Sequence, residues 1–225
     1  MGIERDYNKL LESLPFWEHL NRHEREWVLS RKAIRKHITG ECICGGECAC
    51  IGLLIVASGS LRTYLLSPEG REITLYRVRP GEVCVMAADC VLYAISFETH
   101  VEADEDCELL VIPIDIYAEL IKSNIHVERD LYKIAIERFA DVIAGVERMV
   151  FMNLKQRIAA FLLDESSQRG SDDINLTHEQ IAVNIGSARE TVSRTLKGMT
   201  ASGWVELFRG GVRITDKASL YGILG

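Results

Sequence analysis

The sequence predicts an α+β chain: an antiparallel β barrel or sandwich, then a long helix, then two short helices followed by a β hairpin. Three observations carry this. Between Arg35 and Ile114, runs such as LLIV, LRTYLL, EITLYRV, ISFETHVEA and CELLVIP alternate with Gly-Ser, Ser-Pro-Glu-Gly, Arg-Pro-Gly and Asp-Glu-Asp turns. From about Val127 to Val150 the apolar period becomes helical. Residues 176–203, LTHEQIAVNIGSARETVSRTLKGMTASG, then hold two helix starts on either side of Gly186.

Taken in order, residues 7–36 read as short helices that cap the strand-rich region, with Leu10, Leu11, Leu14, Phe16, Trp17 and Leu20 at helical spacing. In Glu72–Val78 the alternation sets the aliphatic residues on one face and the polar or aromatic ones on the other, so one face is core. In the long helix Tyr132, Ala135, Phe139, Val142, Val146 and Met149 recur three and four apart, a narrow seam of coiled-coil type that a helix buries against a twin. Phe151, Met152 and Asn153 separate it from the amphipathic segment Leu154–Ser167 and fit a hinge. The expected organisation is therefore a strand-rich domain over 1–125, a dimerisation helix and hinge over 126–153, and a further domain over 154–225.

Composition excludes several classes. The chain has 225 residues, is 48% hydrophobic and carries a net charge of −7, which argues against a wholly basic nucleic-acid coat. The charge is uneven: residues 151–225 hold nine Lys and Arg against eight Asp and Glu, and the rest holds 17 against 25. The C-terminal part is the one that tolerates a polyanion. No apolar run approaches the ~20 residues of a membrane span. The N-terminus MGIERDYNKLLESL has charges where a secretory signal is apolar, so a cytoplasmic, membrane-free protein is expected.

The C-terminal pattern carries the most specific chemistry. Thr177 with Gln180 reads as a capping box opening a helix with Ile181, Ala182 and Ile185 apolar, and Gly186 supplies the left-handed residue that ends it. Ser187 with Glu190 reads as a second capping box, opening a helix whose Val192, Leu196 and Met199 face inward until Gly203. Two short helices so joined form a helix-turn-helix. Arg189, Glu190, Ser193 and Arg194 fall in the first two turns of the second helix, where base edges are read: Arg donates to guanine, Glu accepts from cytosine, Ser serves either base or phosphate. Lys197 is placed for a phosphate. Val205–Phe208 and Val212–Ile214 flank a Gly-Gly turn and read as a wing. Thr177, Ser187, Arg189, Glu190, Ser193, Arg194 and Lys197 are the candidate DNA-binding residues. Each is ordinary on a solvated helix; the order in which they occur is not.

With these motifs in view, nearly the whole chain resembles the Crp/Fnr family of transcription regulators. IVASGSLRTYLLSPEGREITLYRVRPGEV is similar to part of that family's cyclic-nucleotide-binding jelly roll, and SARETVSRTLKGMTASGWVE to its recognition helix and the start of its wing. The resemblance implies an N-terminal antiparallel β jelly roll, a dimerisation helix and a C-terminal winged helix-turn-helix. It also implies a homodimer on a twofold-symmetric double-stranded operator, with Arg189, Glu190 and Arg194 at base-reading positions and RNA polymerase as a further partner. The dimer residues are Tyr132, Phe139, Val142, Val146 and Met149. The effector pocket falls at Glu82, Val83, Cys84, Phe97 and Glu98. There the chain departs from the family: after Pro80-Gly81-Glu82 come Val83-Cys84-Val85-Met86-Ala87, and Phe97-Glu98 stand where an arginine and a hydroxyl neighbour hold the cyclic phosphate. A glutamate repels a phosphate, so cyclic AMP is not expected as the effector.

Seven cysteines are present, four of them within residues 42–50. If Gly45–Glu47 turn the chain, Cys42 and Cys44 share one face with Cys48 and Cys50 opposite at ~5 Å, a set that could ligate zinc or an iron-sulfur cluster or oxidise in pairs. The spacing is not the usual C-x2-C knuckle, and Cys84, Cys90 and Cys107 read as inert packing. His37, His100 and His126 are isolated and read as structural. The competing function class is a metal- or redox-dependent enzyme or a ligand-storage protein on the same jelly roll. No nucleophile, base and orienter can be assembled for it.

Overall fold

In the computed structural model, residues 6–45, 51–67, 70, 72–84 and 99–224 are described. They fall into two compact units, one reaching to Leu66 and continuing over Leu75–Val142, the other combining Ser67–Thr74 with the chain from Ile143 onward.

The first unit opens with helix α1 (Tyr7–Glu12), a 3-10 turn (Trp17–His19) and helix α2 (Arg22–Arg31), which an Asn21/Glu24 capping box starts. Among the described residues eight strands come next: β1 (Ala33–His37), β2 (Cys42–Cys44), β3 (Gly52–Ser58), β4 (Leu61–Leu66), β5 (Glu72–Val78), β6 (Val83–Cys84), β7 (Thr99–Ala103) and β8 (Cys107–Pro113). They form two four-stranded sheets, β1-β8-β3-β6 and β2-β7-β4-β5. Every pairing described within them is antiparallel. Between the sheets pack Ile43, Leu54, Val56, Leu61, Val78, Val101, Leu109 and Val111. The outer face of the first sheet is covered by Leu11, Phe16 and Trp17 from the N-terminal helices, with Tyr117 and Leu120 of helix α3 (Ile114–Ser123) and Val127 and Leu131 of the long helix. The N-terminal segment therefore does cap the sheets, although residues 33–36 already belong to a strand.

In β5 the facing differs from the expected one. Val78 is fully buried and Tyr76 packs with it against the inter-sheet core, whereas Ile73 and Leu75 point the other way and are half-buried. Val78 is three residues from Leu75, so strict alternation puts it with the aromatic rather than with the other aliphatics.

The long helix, α4, runs Ile125–Phe151. Met152 and Asn153 intervene before helix α5 (Leu154–Arg169), which an Asn153/Gln156 capping box opens and Gly170 ends in the left-handed conformation.

The second unit continues with β9 (Asp173–Ile174), α6 (His178–Ile185), α7 (Arg189–Ala201), β10 (Val205–Phe208), β11 (Gly211–Ile214) and α8 (Lys217–Gly222). Its three strands pair in the order β10-β11-β9. Ile158, Leu162, Ile174, Ile181, Val192, Leu196, Met199, Val212 and Leu220 form one core that holds helices α5, α6, α7 and α8 against the hairpin. Arg213 forks onto Asp173 across the β11–β9 pair, which lowers the Asp173 carboxyl pKa and raises that of the guanidinium.

Candidate nucleic-acid interface

The interface is built by local capping. Gln180 N–H donates to Thr177 Oγ1 at 3.2 Å while Thr177 N–H donates to Gln180 Oε1 at 2.8 Å, the reciprocal box the sequence predicts. At the other end of α6, Gly186 takes φ +63, and the Ser187 N–H donates to the Ala182 carbonyl at 2.9 Å. Arg157 of α5 adds a bond from Nη1 to the Ile185 carbonyl at 3.2 Å, so tertiary packing as well as local turn chemistry fixes the residue before the turn.

The second predicted capping box is absent. Helix α7 starts at Arg189 with Ala188 as N-cap and no side-chain cap bond. Ser187 is occupied in closing the preceding helix, one residue too early to cap the next. The wing also differs in detail. Phe208 pairs with Gly211, so the turn is Arg209-Gly210, with Gly210 at φ +86, and Gly211 already belongs to the strand. A Cβ at Gly211 would run into the Phe208 ring and the Ile174 carbonyl.

On α7, Val192, Leu196 and Met199 are buried, which turns Arg189, Glu190, Arg194 and Lys197 outward with Ser193 half-buried between them. These five line one shallow concavity along the helix. A second groove shares Arg189 and runs between the start of α6 and the wing, lined by Thr177, His178, Glu179, Phe208, Gly210 and Gly211. Of the predicted residues, Ser187 alone lines neither hollow. Arg189 Nε lies 3.7 Å from Glu179 Oε2, both side chains more than 60% exposed. Such a pair contributes little stability, but it biases where the guanidinium points. His178 and Glu179 escaped sequence reasoning, the available signal being their adjacency to the Thr177 cap, whereas Phe208, Gly210 and Gly211 fall in the hairpin read as a wing.

The other predicted sites are placed as described next to their neighbours. Glu82 sits at the β5–β6 turn, its carboxylate accepting the Arg79 N–H at 3.0 Å with Arg138 of α4 3.8 Å away. Arg138 lies over the Tyr76 ring and donates to Asp141 at 3.0 Å, and its Nε is buried without a partner. Val83 packs under the N-terminal helices and Cys84 between the sheets, so the two face opposite sides of β6. Phe97 and Glu98 lie outside the described residues. Arg138 and Tyr76 were not foreseen, because the long helix was read for its apolar period alone.

On α4, Tyr132, Phe139 and Val146 are exposed, and Val142 and Met149 are half-buried. Cys42 and Cys44 do not share a face. A register shift between them pairs Cys42 with Glu102 and Cys44 with Val101, leaving Cys42 exposed and Cys44 buried. Cys48 and Cys50, and Cys90, lie outside the described residues. Among the described residues no three His, Cys, Asp or Glu side chains converge to hold a metal. Cys84 and Cys107 are buried, and burial pushes the Cys107 thiol up to about 11.

A winged helix-turn-helix with a charged outer face, joined in one chain to a two-sheet jelly roll, defines a DNA-binding transcription regulator with a sensor domain. The relatives agree. Residues 156–223 match the Crp-like helix-turn-helix domain and residues 35–124 the cyclic nucleotide-binding domain. A crystal structure of a transcriptional regulator of the Crp/Fnr family from Eubacterium rectale is 37% identical, with a TM-score of 0.89 over 95% of this chain and 99% of that one. The transcriptional regulator SdrP of Thermus thermophilus is 27% identical over 175 residues, covering 73% of this chain and 80% of SdrP. The cyclic AMP receptor protein of the same organism is 29% identical over 168 residues, covering 75% and 77%. The chain belongs to the Crp/Fnr family: it is a regulator, not an enzyme. No helix among the described residues is long and apolar enough to cross a membrane.

Proposed function

We propose that the protein acts in the cytoplasm as a homodimer on a twofold-symmetric operator, contacting RNA polymerase there, and that a sensor ligand other than cyclic AMP controls its DNA affinity. The carrying observation is an apolar stripe on α4: Tyr132, Ile136, Phe139, Ile143, Val146 and Val150 recur four and three apart, and all are exposed in the single chain. Six apolar side chains at heptad spacing on a 27-residue helix are what a parallel coiled coil with a second copy buries. Two recognition helices related by twofold symmetry then meet half-sites ~34 Å apart. Arg189, Glu190, Ser193 and Arg194 read bases, while Thr177, Ser187 and Lys197 contact the backbone.

Two features support a ligand in the sensor. Thr63 shares the inward face of β4 with Leu61, and its hydroxyl is fully buried with no hydrogen-bond partner. Arg138 ties the β5–β6 turn to the long helix through Glu82, so a ligand that moves that turn acts directly on α4. Phe97-Glu98 in place of a phosphate-binding pair argues against a cyclic nucleotide. The ligand works by population shift about the Phe151–Asn153 junction, and a preference of a few kcal/mol between matched and mismatched arrangements is enough.

In vitro selection from random duplexes, with sedimentation of the free protein, tests this. The expected result is a dimer that enriches an inverted repeat, with an affinity that cyclic AMP does not change. A monomer that enriches a single half-site, or a cyclic AMP response, would overturn it.

A further inference from the structure

His178 is the first residue of α6 and half-buried, directly after the Thr177 cap, on the groove between that helix start and the wing turn. In a helix-turn-helix the first helix crosses the DNA backbone while the second enters the major groove, so the start of α6 faces phosphate rather than base edges. First-turn amides such as those of His178 and Glu179 have no acceptor within their own helix and favour an anion in front of them. The charged groups around the imidazole are known. Arg189 and Lys197 approach it from α7; Glu179, on its own helix, is engaged with Arg189; and the wing residues of the groove, Phe208, Gly210 and Gly211, are uncharged. With Arg189 paired to Glu179, Lys197 is the nearby cation with no carboxylate beside it among the described residues, and the groove carries a positive balance that an anion would complete.

We propose that His178 is a DNA-phosphate contact whose imidazole takes up one proton on binding, so that this regulator binds DNA more tightly as pH falls through the neutral range. The inference rests on α6 and α7 forming the DNA interface. In the free protein, burial first and then Arg189 and Lys197 hold the His178 pKa below its ordinary value, so the ring is neutral at pH 7. A phosphate oxygen in the groove reverses the balance: the imidazolium donates to it, and the bound-state pKa rises above the free one. Affinity is then lowest above the bound-state pKa, climbs as pH falls through it, and levels off below the free-state value. Each unit between the two values is a tenfold change in affinity per protomer engaged.

The test is fluorescence anisotropy with a mixed-sequence duplex at fixed ionic strength, from about pH 8 to about pH 5.5. Wild type, His178→Gln and His178→Arg are compared, with thermal melts to verify folding. Wild type is expected to gain about tenfold toward acid. His178→Gln stays near the wild type's weak alkaline limit, and His178→Arg near its tight acid limit, both with little pH dependence. A pH-independent wild type, or a slope that survives in His178→Gln, overturns the proposal while leaving the DNA interface intact. Absence of binding at every pH in all three proteins strikes the interface reading itself.

Discussion

The long helix α4 and the recognition helix α7 each leave a face uncovered in the single chain, and the two faces are chemical opposites. On α4 the outward stripe is apolar, with Ile136 68% and Phe139 64% exposed. On α7 the apolar residues are buried and Arg189, Glu190, Arg194 and Lys197 look outward. An uncovered apolar face costs free energy until another apolar face removes it from water, at roughly 25 cal/mol per Å². A charged face is already solvated and gains from a partner only through matched charges and hydrogen bonds. The contrast separates a helix suited to its own twin from one suited to a polyanion.

The sharpest way to break the comparison is Phe139→Glu, which places a carboxylate in the apolar stripe. Sedimentation is expected to show a monomer with unchanged helix content by circular dichroism. DNA affinity should fall about a hundredfold or more, because the second recognition helix loses its high effective concentration. If Phe139→Glu still dimerises, the stripe has another purpose.

On the charged face, Arg194→Ala is expected to cost about 1–3 kcal/mol of binding and to relax selection at one base pair in each half-site. Lys197→Ala should weaken binding to every sequence alike and lower the slope of log affinity against log salt by about 1 per protomer. Equal effects of the two substitutions across all sequences would mean that α7 does not read bases.

The smallest effect concerns the caps. Thr177→Ala removes the Oγ1 acceptor of a formed capping box while the backbone N–H of residue 177 can still donate to Gln180, and it should cost about 1 kcal/mol in urea unfolding. Ser187→Ala removes no cap bond and should stay within about 0.5 kcal/mol of wild type. A loss at Ser187 as large as that at Thr177 would show that Ser187 caps α7 in solution.

These particulars show how much of the fold and the interface was legible in advance. The Thr177 box, the left-handed Gly186, the α7 residues facing the core and those facing out, and the hairpin after Gly203 depend on interactions within about four residues, or on a helical period, so they are readable from the chain alone. Ser187 misled because two adjacent residues, Ser187 and Ala188, could each precede the helix. Only the closing bond to Ala182 assigns Ser187 to α6 and leaves Ala188 to start α7. The long helix was readable as amphipathic, but Ala135, Val142 and Met149 lie beside Ile136, Ile143 and Val150 around the same stripe. The sequence period allows either set, and only the folded chain shows that the latter three are exposed.

From the sequence alone, then, come the order of the elements, the capped start of α6, the αL turn and the charged face of α7, because each is encoded by neighbours along the chain. Tertiary structure alone decides which apolar residues of α4 remain for a partner, that Cys42 and Cys44 part company at a bulge, and that Arg138 reaches Glu82. It also sets His178 between Arg189, Lys197 and the wing. Each of these depends on residues far apart in sequence, and burial and charge at such places are set by whichever segments the fold brings together.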